Sequence, residues 1–295
     1  MNIKVTSLPE AEPRPRHVAI GTFDGVHRGH QAVIDSADTV LTFDPHPLEV
    51  LHPAALPKLI MPFGVKRDVI EGLGVDELVV IPFDREFAAI PAEGFIEQVL
   101  IERLTAERVS VGENFRFGAK ARGDPEMLAG RPEFETRVVP LVEVDGETVS
   151  STRIRALIAA GEIEAAQRCL GAPFMVEGTV AEGDQRGRRL GFPTANLVPD
   201  DRLAIPGHGV YAGFANGVPA AINVGVRPTF DTGRGLLIET YLIDRDDDLY
   251  GTTLRVAFVK RLRGERRFSD VSELIAQMRI DVEDAKQVCA SFTGR

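Results

Sequence analysis

The pattern of apolar residues changes near residue 170, and this change limits the possible fold more than any other feature of the sequence. Before it, short apolar runs that fit buried strands alternate with segments that repeat apolar residues at helical spacing. After it, strand-like runs follow one another, and only residues 270–288 have helical spacing. The sequence therefore predicts two domains of different class, which 295 residues can accommodate.

The first part of the chain predicts an α/β domain. Alternating strands and helices favour a parallel sheet that is covered by helices on both faces. Ligands of such sheets bind at the carboxyl ends of the strands. The expected strands are 17–21, 39–43, 77–81, 108–112 and 137–144, and the expected helices are 64–73, 91–104, 151–160 and 162–170.

The second part predicts an antiparallel β-barrel that is followed by a C-terminal helix. The dipeptide Asn216-Gly217 lies between two strand-like runs and is typical of a hairpin, because both residues tolerate positive φ. Gly171 and Pro173 interrupt the pattern, so we expect domains at 1–171 and 172–295. The expected strands are 175–180, 210–215, 219–224, 236–243 and 254–262.

The charge balance restricts the partners of the chain. There are 34 basic and 44 acidic residues, a formal net charge of −10, which argues against a general nucleic-acid binder and against an anionic-membrane binder. Residues 1–170 hold 18 basic and 27 acidic residues, so the imbalance lies mainly in the first domain. An anionic ligand of that domain must be held by local donors.

Neither cysteines nor apolar segments indicate a secreted or membrane protein. Cys169 and Cys289 are too few for a disulfide framework or a cysteine-rich zinc site. The first 16 residues are polar and lack the apolar core of a signal peptide, and no apolar run approaches the ~20 residues of a membrane span. We therefore expect a cytoplasmic protein. The sequence leaves its oligomeric state open, and a homo-oligomer is one alternative.

Residues 21–30 form the first candidate site. A glycine-bearing turn between a strand and a helix directs backbone N–H groups and the positive helix end at one point, which suits phosphate. Its glycines are four residues apart, unlike the dinucleotide fingerprint. His27 and His30 are three apart and can share a helix face, where two imidazoles can donate to oxygens that gain charge. Separate histidines are more often structural, but this pairing inside the turn favours function.

Residues 191–196, Gly-Phe-Pro-Thr-Ala-Asn, form the second candidate site and follow a basic stretch at 183–189. Thr194 and Asn196 offer oxygen ligands of the kind that Mg²⁺ prefers, and arginines can offset phosphate charge. The alternative for these residues alone is an ordinary turn with a solvated basic loop.

Further along, Glu239 shares a strand face with Leu237 and Tyr241, so it either faces solvent or is placed for chemistry.

These segments together carry a family resemblance. Residues 21–30 resemble the histidine-glycine-histidine motif of the nucleotidyltransferase superfamily, and 149–155 resemble its second motif. Residues 42–47 and 111–118 resemble the flavin-adenylylating module of bacterial bifunctional riboflavin kinase/FAD synthetases, and 191–196 resemble the riboflavin kinase fingerprint. The resemblance implies an α/β plus β protein: a Rossmann-like nucleotidyltransferase domain over 1–171, and a riboflavin kinase domain, an antiparallel β-barrel with a terminal helix, over 172–295.

For the N-terminal domain, the resemblance implies that the phosphate of FMN attacks the α-phosphorus of ATP and that pyrophosphate leaves. His27 and His30 would bind ATP phosphates and stabilise the transition state. Ser151 and Thr152 could instead be simple helix caps, and Asp44 could only form a turn. Phe115 and Phe117 could instead belong to the core. The resemblance implies ATP or phosphate contacts for Gly21, Phe23, Asp24, Gly29, Ser151, Thr152 and Arg155, and flavin contacts for Asp44, Asn114 and Phe115.

For the C-terminal domain, the resemblance implies that ATP phosphorylates riboflavin to FMN. Glu239 would act as the base that takes the proton from the ribityl 5′-hydroxyl. Gly191, Thr194 and Asn196 would bind ATP, and Thr194 and Asn196 would hold Mg²⁺, which both reactions need. Arg279 and Asp281 match family positions near the flavin, with a solvated charged helix face as the alternative for both.

The predicted function is therefore a two-step synthesis of FAD whose ligands are riboflavin, FMN, FAD, ATP, ADP and pyrophosphate, without a nucleic-acid or membrane partner. One alternative is a kinase whose N-terminal domain has lost adenylylation, because only residues 31–38 separate His30 from the next strand and leave room for a helix of about two turns. A non-catalytic flavin-binding regulator would need no base such as Glu239. An N-terminal domain that adenylylates another phosphate ester is disfavoured by the loop at 114–118.

Overall fold

The structure is a computed structural model that describes residues 3–181, 190–226, 236–245 and 249–293. Its contacts divide the chain into two compact units. The first unit comprises Met1–Pro57 and Phe63–Ser151, and the second comprises Lys58–Pro62 and Thr152–Arg295. Packing thus separates the units at a different place from the expected functional boundary at 171/172, which stays a prediction.

The first unit contains a six-stranded parallel sheet with the order β1-β4-β3-β2-β5-β6. This confirms the α/β prediction for the first part of the chain. A separate two-stranded hairpin, β7-β8, follows the sheet. The strands are β1 Lys4–Ser7, β2 Arg16–Ile20, β3 Thr39–Asp44, β4 Glu77–Pro82, β5 Ala106–Gly112, β6 Glu135–Val139, β7 Glu143–Val144 and β8 Glu147–Thr148.

Short helices connect these strands. The helix after β2 has 7 residues, which is about two turns, as the short connection predicts. The helices are α1 Arg28–Ile34, α2 Pro47–Leu51, α3 Phe63–Gly72, α4 Ala92–Phe95 with a π-helical continuation at Ile96–Arg103, and α5 Pro125–Ala129. Single 3₁₀ turns lie at Leu8–Glu10, Pro53–Ala55, Phe87–Ala89 and Ala119–Ala121.

The core of the first unit lies between the sheet and the helical segment that begins at α4. Central strand residues such as Val18, Leu41 and Val109 belong to the same buried cluster as Ile96 and Leu100. Burial of such side chains provides about 1.5–3 kcal/mol each, so these contacts hold the strands in place. The rigid sheet therefore supports the loops at its carboxyl edge.

The second unit contains a closed antiparallel barrel with the order β10-β13-β12-β11-β14-β9 and a long C-terminal helix, which confirms the predicted architecture. The strands are β9 Phe174–Ala181, β10 Ala195–Pro199, β11 Gly209–Ala215, β12 Val218–Val226, β13 Leu236–Leu242 and β14 Thr253–Arg263. The helices are α6 Ser151–Ala160, α7 Ile163–Leu170 and α8 Val271–Ser291.

The hairpin predicted for the barrel unit is confirmed. Asn216 and Gly217 connect β11 to β12 with φ values of 46° and 82°, as a tight hairpin turn requires. The helix α8 packs on the outer surface of the barrel, where Ala285 meets Ala212 and Val282 lies against the same cluster. None of the described helices is long and apolar enough to cross a membrane.

Candidate active sites

The first site lies where three neighbouring strands end. Gly21 follows β2, Asp44 ends β3, and Asn114 follows β5 by two residues. Since β2 lies between β3 and β5 in a parallel sheet, the three loops meet at the carboxyl edge. The chain leaves β2 toward β3 and later returns to its other side with β5, which makes this a topological switch point where α/β sheets bind ligands.

The two histidines of the turn contact each other. His27 is the N-cap of α1, and its Nδ1 accepts a hydrogen bond from the backbone N–H of His30 at 3.3 Å. Their rings are stacked with centroids 3.6 Å apart, and the Phe23 ring meets His30 edge-on at 5.3 Å. Because Nδ1 accepts this bond, Nε2 is the ring nitrogen of His27 that can donate to a ligand.

His30 is held neutral by its surroundings. Burial, followed by the charges of His27 and Lys66, lowers the pKa of His30 well below 6.5. Its Nδ1 atom is buried and has no hydrogen-bond partner among the described residues. Buried polar atoms in proteins are normally paired, so an imidazole nitrogen in this position is suited to a ligand.

Glycines leave the space that these rings occupy. A Cβ atom at Gly21 would lie 3.0 Å from Cζ of Phe23, and one at Gly29 would lie 3.2 Å from Cε1 and Nδ1 of His27. Val26, inside the turn, has a φ of 39°, which is a strained conformation for a β-branched residue. Strain of this kind clusters at ligand sites, which agrees with a functional role for the turn.

Ser151, the last residue of the first unit, contacts the glycine turn. Its Oγ donates to the backbone carbonyl of Asp24 at 2.9 Å, and Asp24 is buried. The hydroxyl hydrogen thus binds the turn. Thr152 and Arg155 are grouped with the second unit, where Nε of Arg155 donates to the carbonyl of Lys58 at 2.7 Å.

The residues expected to contact the flavin differ in exposure. Asp44 and Asn114 are exposed, whereas Phe115 is half-buried. The Phe115 ring stacks on Phe117 with centroids 5.6 Å apart, and Phe117 packs in turn against Phe95. Phe117 is therefore part of the core, and Phe115 lies at the boundary between that core and solvent.

Lys66 lies in this site although no motif marks it. Its Nζ donates to the backbone carbonyl of Thr22 at 3.0 Å, and the hydroxyl of Thr42 donates to the same oxygen at 3.2 Å. Burial lowers the pKa of Lys66, while the nearby carboxylates of Asp24 and Asp44 act in the opposite direction. Its position follows from the folding of α3 against the turn, which sequence spacing did not reveal.

The second site is built from three neighbouring strands of the barrel. In the strand register, Glu239 of β13 pairs with Asn196 of β10 on one side and with Asn223 of β12 on the other. Cross-strand partners project to the same face, so the three side chains form a row. Nδ2 of Asn223 donates to Oε2 of Glu239 at 3.2 Å. No sequence motif marks Asn223, whose place in the row follows from the strand register.

The loop before β10 completes this site. Gly191 has a φ of 86°, a left-handed conformation that favours glycine, and Phe192 packs edge-on against Tyr241 at 5.5 Å. Asn196 is only 6% exposed, and its Oδ1 has no hydrogen-bond partner in the described parts of the chain. The basic stretch at 183–189 lies outside the described residues.

The side-chain oxygens of Thr194 and Asn196 make the second site compatible with Mg²⁺. A buried amide oxygen without a partner at Asn196 and the hydroxyl of nearby Thr194 are the hard donors that this ion prefers. Within the described residues there is no group of three or more histidine, cysteine or acidic side chains that could hold a metal. The oxygens of Thr194 and Asn196 thus fit a magnesium ion.

Comparison with known proteins assigns the family. Residues 10–153 match the family model described as FAD synthetase, and 170–289 match the one described as riboflavin kinase. The bifunctional riboflavin kinase/FMN adenylyltransferase of Escherichia coli (strain K12) is 35% identical over 301 residues, covering 96% of each chain. The corresponding protein of Bacillus subtilis (strain 168) is 37% identical over 292 residues, covering 91% of this chain and 90% of its own.

The chain belongs to the bifunctional riboflavin kinase/FMN adenylyltransferase family. It contains both the FAD synthetase and the riboflavin kinase domain of this family, as the sequence predicts. A solved structure described as a macrolide-efflux protein from Streptococcus pneumoniae has a TM-score of 0.86 and 30% identity, covering 99% of this chain and 100% of that one. The efflux named for that protein has no counterpart in the two domain matches.

Within the riboflavin kinase domain, the two helix residues expected near the flavin have different environments. Arg279 is exposed on α8. Asp281 is buried and accepts two hydrogen bonds from Arg263, at 2.9 and 2.7 Å, and one from Gln277 at 3.0 Å. Asp281 therefore ties α8 to β14, and this structural role accounts for its place in the helix.

Proposed function

We propose that this protein converts riboflavin to FAD in two steps at separate sites. The second unit phosphorylates riboflavin with ATP, and the first unit adenylylates the resulting FMN with a second ATP. The main support is that both domain families match one chain and that each domain has its own cluster of reactive side chains.

In the adenylylation step, an oxygen of the FMN phosphate forms a bond to the α-phosphorus of ATP, the bond to the bridging oxygen breaks, and pyrophosphate leaves. No covalent protein intermediate is needed, so positioning and charge stabilisation provide the acceleration. His27, through Nε2, and His30 donate hydrogen bonds to phosphate oxygens. The backbone of the glycine turn, together with Ser151, Thr152 and Arg155, holds the phosphates that depart.

The flavin of FMN is assigned to the neighbouring loops. Asp44 and Asn114 orient FMN at the carboxyl edge, and the half-buried face of Phe115 suits the isoalloxazine ring. These loops follow β3 and β5, the strands on either side of β2. FMN thus lies next to the turn that holds ATP, as in-line attack requires.

In the kinase step, Glu239 accepts the proton of the ribityl 5′-hydroxyl while that oxygen attacks the γ-phosphorus, and ADP leaves. Asn223 positions Glu239 because its amide donates to Oε2, which leaves Oε1 to face the hydroxyl. Gly191 allows the loop to cover the nucleotide, and Arg279 contacts the flavin.

Magnesium is part of the proposal for both steps. Thr194 and Asn196 would hold the ion in the kinase site, where their oxygens fit it. When bound, Mg²⁺ neutralises charge on the transferred phosphate. The ligands are restricted to flavins, adenine nucleotides and pyrophosphate, since the net charge of −10 opposes nucleic acid. The use of ATP supports a cytoplasmic location.

A kinase with an inactive first domain is the competing hypothesis, because α1 is short. The structure favours an active domain. His30 is fixed by stacking on His27 and by the edge of Phe23, and neither contact depends on further helical turns. A helix of two turns is thus sufficient to hold the histidine pair.

Single-site variants test whether the two reactions are separate. Glu239→Gln removes the base and should lower FMN formation by about 10²–10⁴-fold, while FAD still forms from supplied FMN. The double change His27→Ala with His30→Ala should do the reverse. Chromatographic separation of FMN and FAD measures both rates.

Two control variants should retain both activities. Asp244→Asn changes an exposed residue after β13, and His17→Ala changes a residue of β2, the strand that precedes the glycine turn. If a folded Glu239 or histidine variant lost both reactions, the assignment of two independent sites would be wrong.

A further inference from the structure

Lys66 occupies a position between the two groups of residues assigned to the adenylylation site. Its charge acts on His30, which belongs to the phosphate-binding turn, and it also interacts with Asp44, which belongs to the flavin-binding loop. Its Nζ is fixed by the hydrogen bond to the carbonyl of Thr22, the residue after Gly21. In the proposed reaction, an oxygen of FMN attacks the α-phosphorus of ATP, so that atom would lie between the phosphate-binding turn and the flavin-binding loop, next to Lys66.

The position is unfavourable for a cation without a ligand. Lys66 lies in the first turn of α3, where the helix dipole repels positive charge. Burial outweighs the attraction of Asp24 and Asp44, since the pKa of Lys66 is lowered. A phosphate group would add negative charge to that of Asp24 and Asp44 and so offset the cost of burying this cation.

We propose that Lys66 is a catalytic residue of adenylyl transfer that donates hydrogen bonds to the non-bridging oxygens of the attacked α-phosphate. The proposal rests on the adenylylation proposed above. An ammonium has three N–H donors, and the Thr22 carbonyl takes one. As the FMN oxygen bonds to phosphorus, the electron pair of the breaking P–O bond leaves with pyrophosphate, and Lys66 keeps its proton.

Three variants of the full-length protein test this role. Lys66→Met keeps the length and apolar stem but removes the charge, Lys66→Arg keeps the charge, and Arg67→Ala is the control. Arg67 is the next residue of α3, is exposed, and bonds to Asp68. The measurements are kcat and KM for FAD formation from FMN and ATP, FMN formation from riboflavin, and Tm.

Lys66→Met should lower kcat for FAD formation by about 100-fold or more, as expected for loss of a donor to developing charge. The KM values should change little, FMN formation and Tm should be retained, and Lys66→Arg should be at least about tenfold more active than Lys66→Met. Arg67→Ala should behave like the unchanged protein.

Two results would overturn the role of Lys66. One is a folded Lys66→Met variant with FAD formation within about threefold of the unchanged protein. The other is equal loss in the Met and Arg variants together with a lower Tm in both, which indicates a structural lysine. If the unchanged protein made FMN but no FAD from supplied FMN, adenylylation itself would fail, and the Lys66 proposal with it.

Discussion

At the scale of single residues, burial determines the protonation of His30. The ring is neutral in the folded protein because its pKa is held well below 6.5, whereas an unfolded chain has the ordinary value. Below pH 6.5 the unfolded chain therefore binds a proton that the folded chain does not bind. The contribution to stability is complete above pH 6.5 and is lost as the pH falls below it, at up to about 1.4 kcal/mol per pH unit.

The free energy of unfolding in urea should thus decrease between pH 7.0 and 5.5, and His30→Gln should decrease less over the same interval. His52→Gln, a change of an exposed histidine outside the turn, should follow the unchanged protein. An identical pH dependence in the His30→Gln and unchanged proteins would show that His30 titrates normally.

Asn223 donates one hydrogen bond to Glu239, the proposed base of the kinase site. A bond to a charged group is worth about 1.5–3 kcal/mol, so Asn223→Ala should reduce kcat for FMN formation by about tenfold or more. The KM for riboflavin should change little, because Asn223 contacts the base. Initial rates of FMN formation measure this effect. An unchanged kcat would mean that Glu239 needs no such positioning.

At the scale of elements, Glu77 links three strands at the amino-terminal end of the sheet, opposite the carboxyl edge where the candidate adenylylation site lies. It begins β4 and accepts hydrogen bonds from Thr6 of β1 at 2.9 Å, from Arg16 of β2 at 3.0 Å and from Arg14 at 2.9 Å. Burial opposes its charge, but the bonds from Arg16 and Thr6 and the charges of Arg16 and Arg14 lower the pKa of Glu77. This network accounts for a buried arginine in the core of an α/β unit.

Glu77→Ala should destabilise the first unit by about 3–5 kcal/mol, because it leaves Arg16 buried and unpaired. Urea unfolding followed by circular dichroism measures the loss, and Glu107→Ala, at an exposed position on β5, is the control. The kinase reaction should remain. A loss no larger than that of the control would contradict the structural role of the pair.

Elements also show what could be predicted from the sequence. Apolar spacing predicted the central strands and α8, and the length of the connection predicted the short α1. The expected strand 137–144 is instead β6 and β7 with a break between them that contains Pro140, which lacks an N–H donor. The strands β1 and β10 were not predicted, since β1 is short and polar and β10 overlaps a motif that reads as a loop.

The candidate site residues also divide into those that a sequence motif marks and those that only the folded structure brings to the site. Motifs identified the histidine pair, Asn196 and Glu239, because each motif is contiguous in sequence. Lys66 and Asn223 could not be found, since their roles depend on the packing of α3 and on the register of β12 with β13. Asp281 matched a family position, yet its contacts are those of an ion pair with Arg263.

At the scale of the whole molecule, an acidic protein has to bind polyanions. The charge of −10 opposes ATP and FMN at long range, so the binding proposed above would rely on helix starts, a few cations and Mg²⁺. Arg155→Ala should therefore raise the KM for ATP in FAD formation, with little effect on FMN formation. An unchanged KM for ATP would count against the assignment of Arg155.

The central claim is that one chain makes FMN and then FAD. The most direct measurement supplies the purified protein with riboflavin, ATP and Mg²⁺ and separates the flavins by chromatography over time. We predict that FMN accumulates first and that FAD then forms at its expense. Accumulation of FMN without FAD, even when FMN is supplied directly, would contradict the adenylylation assigned to the histidine pair.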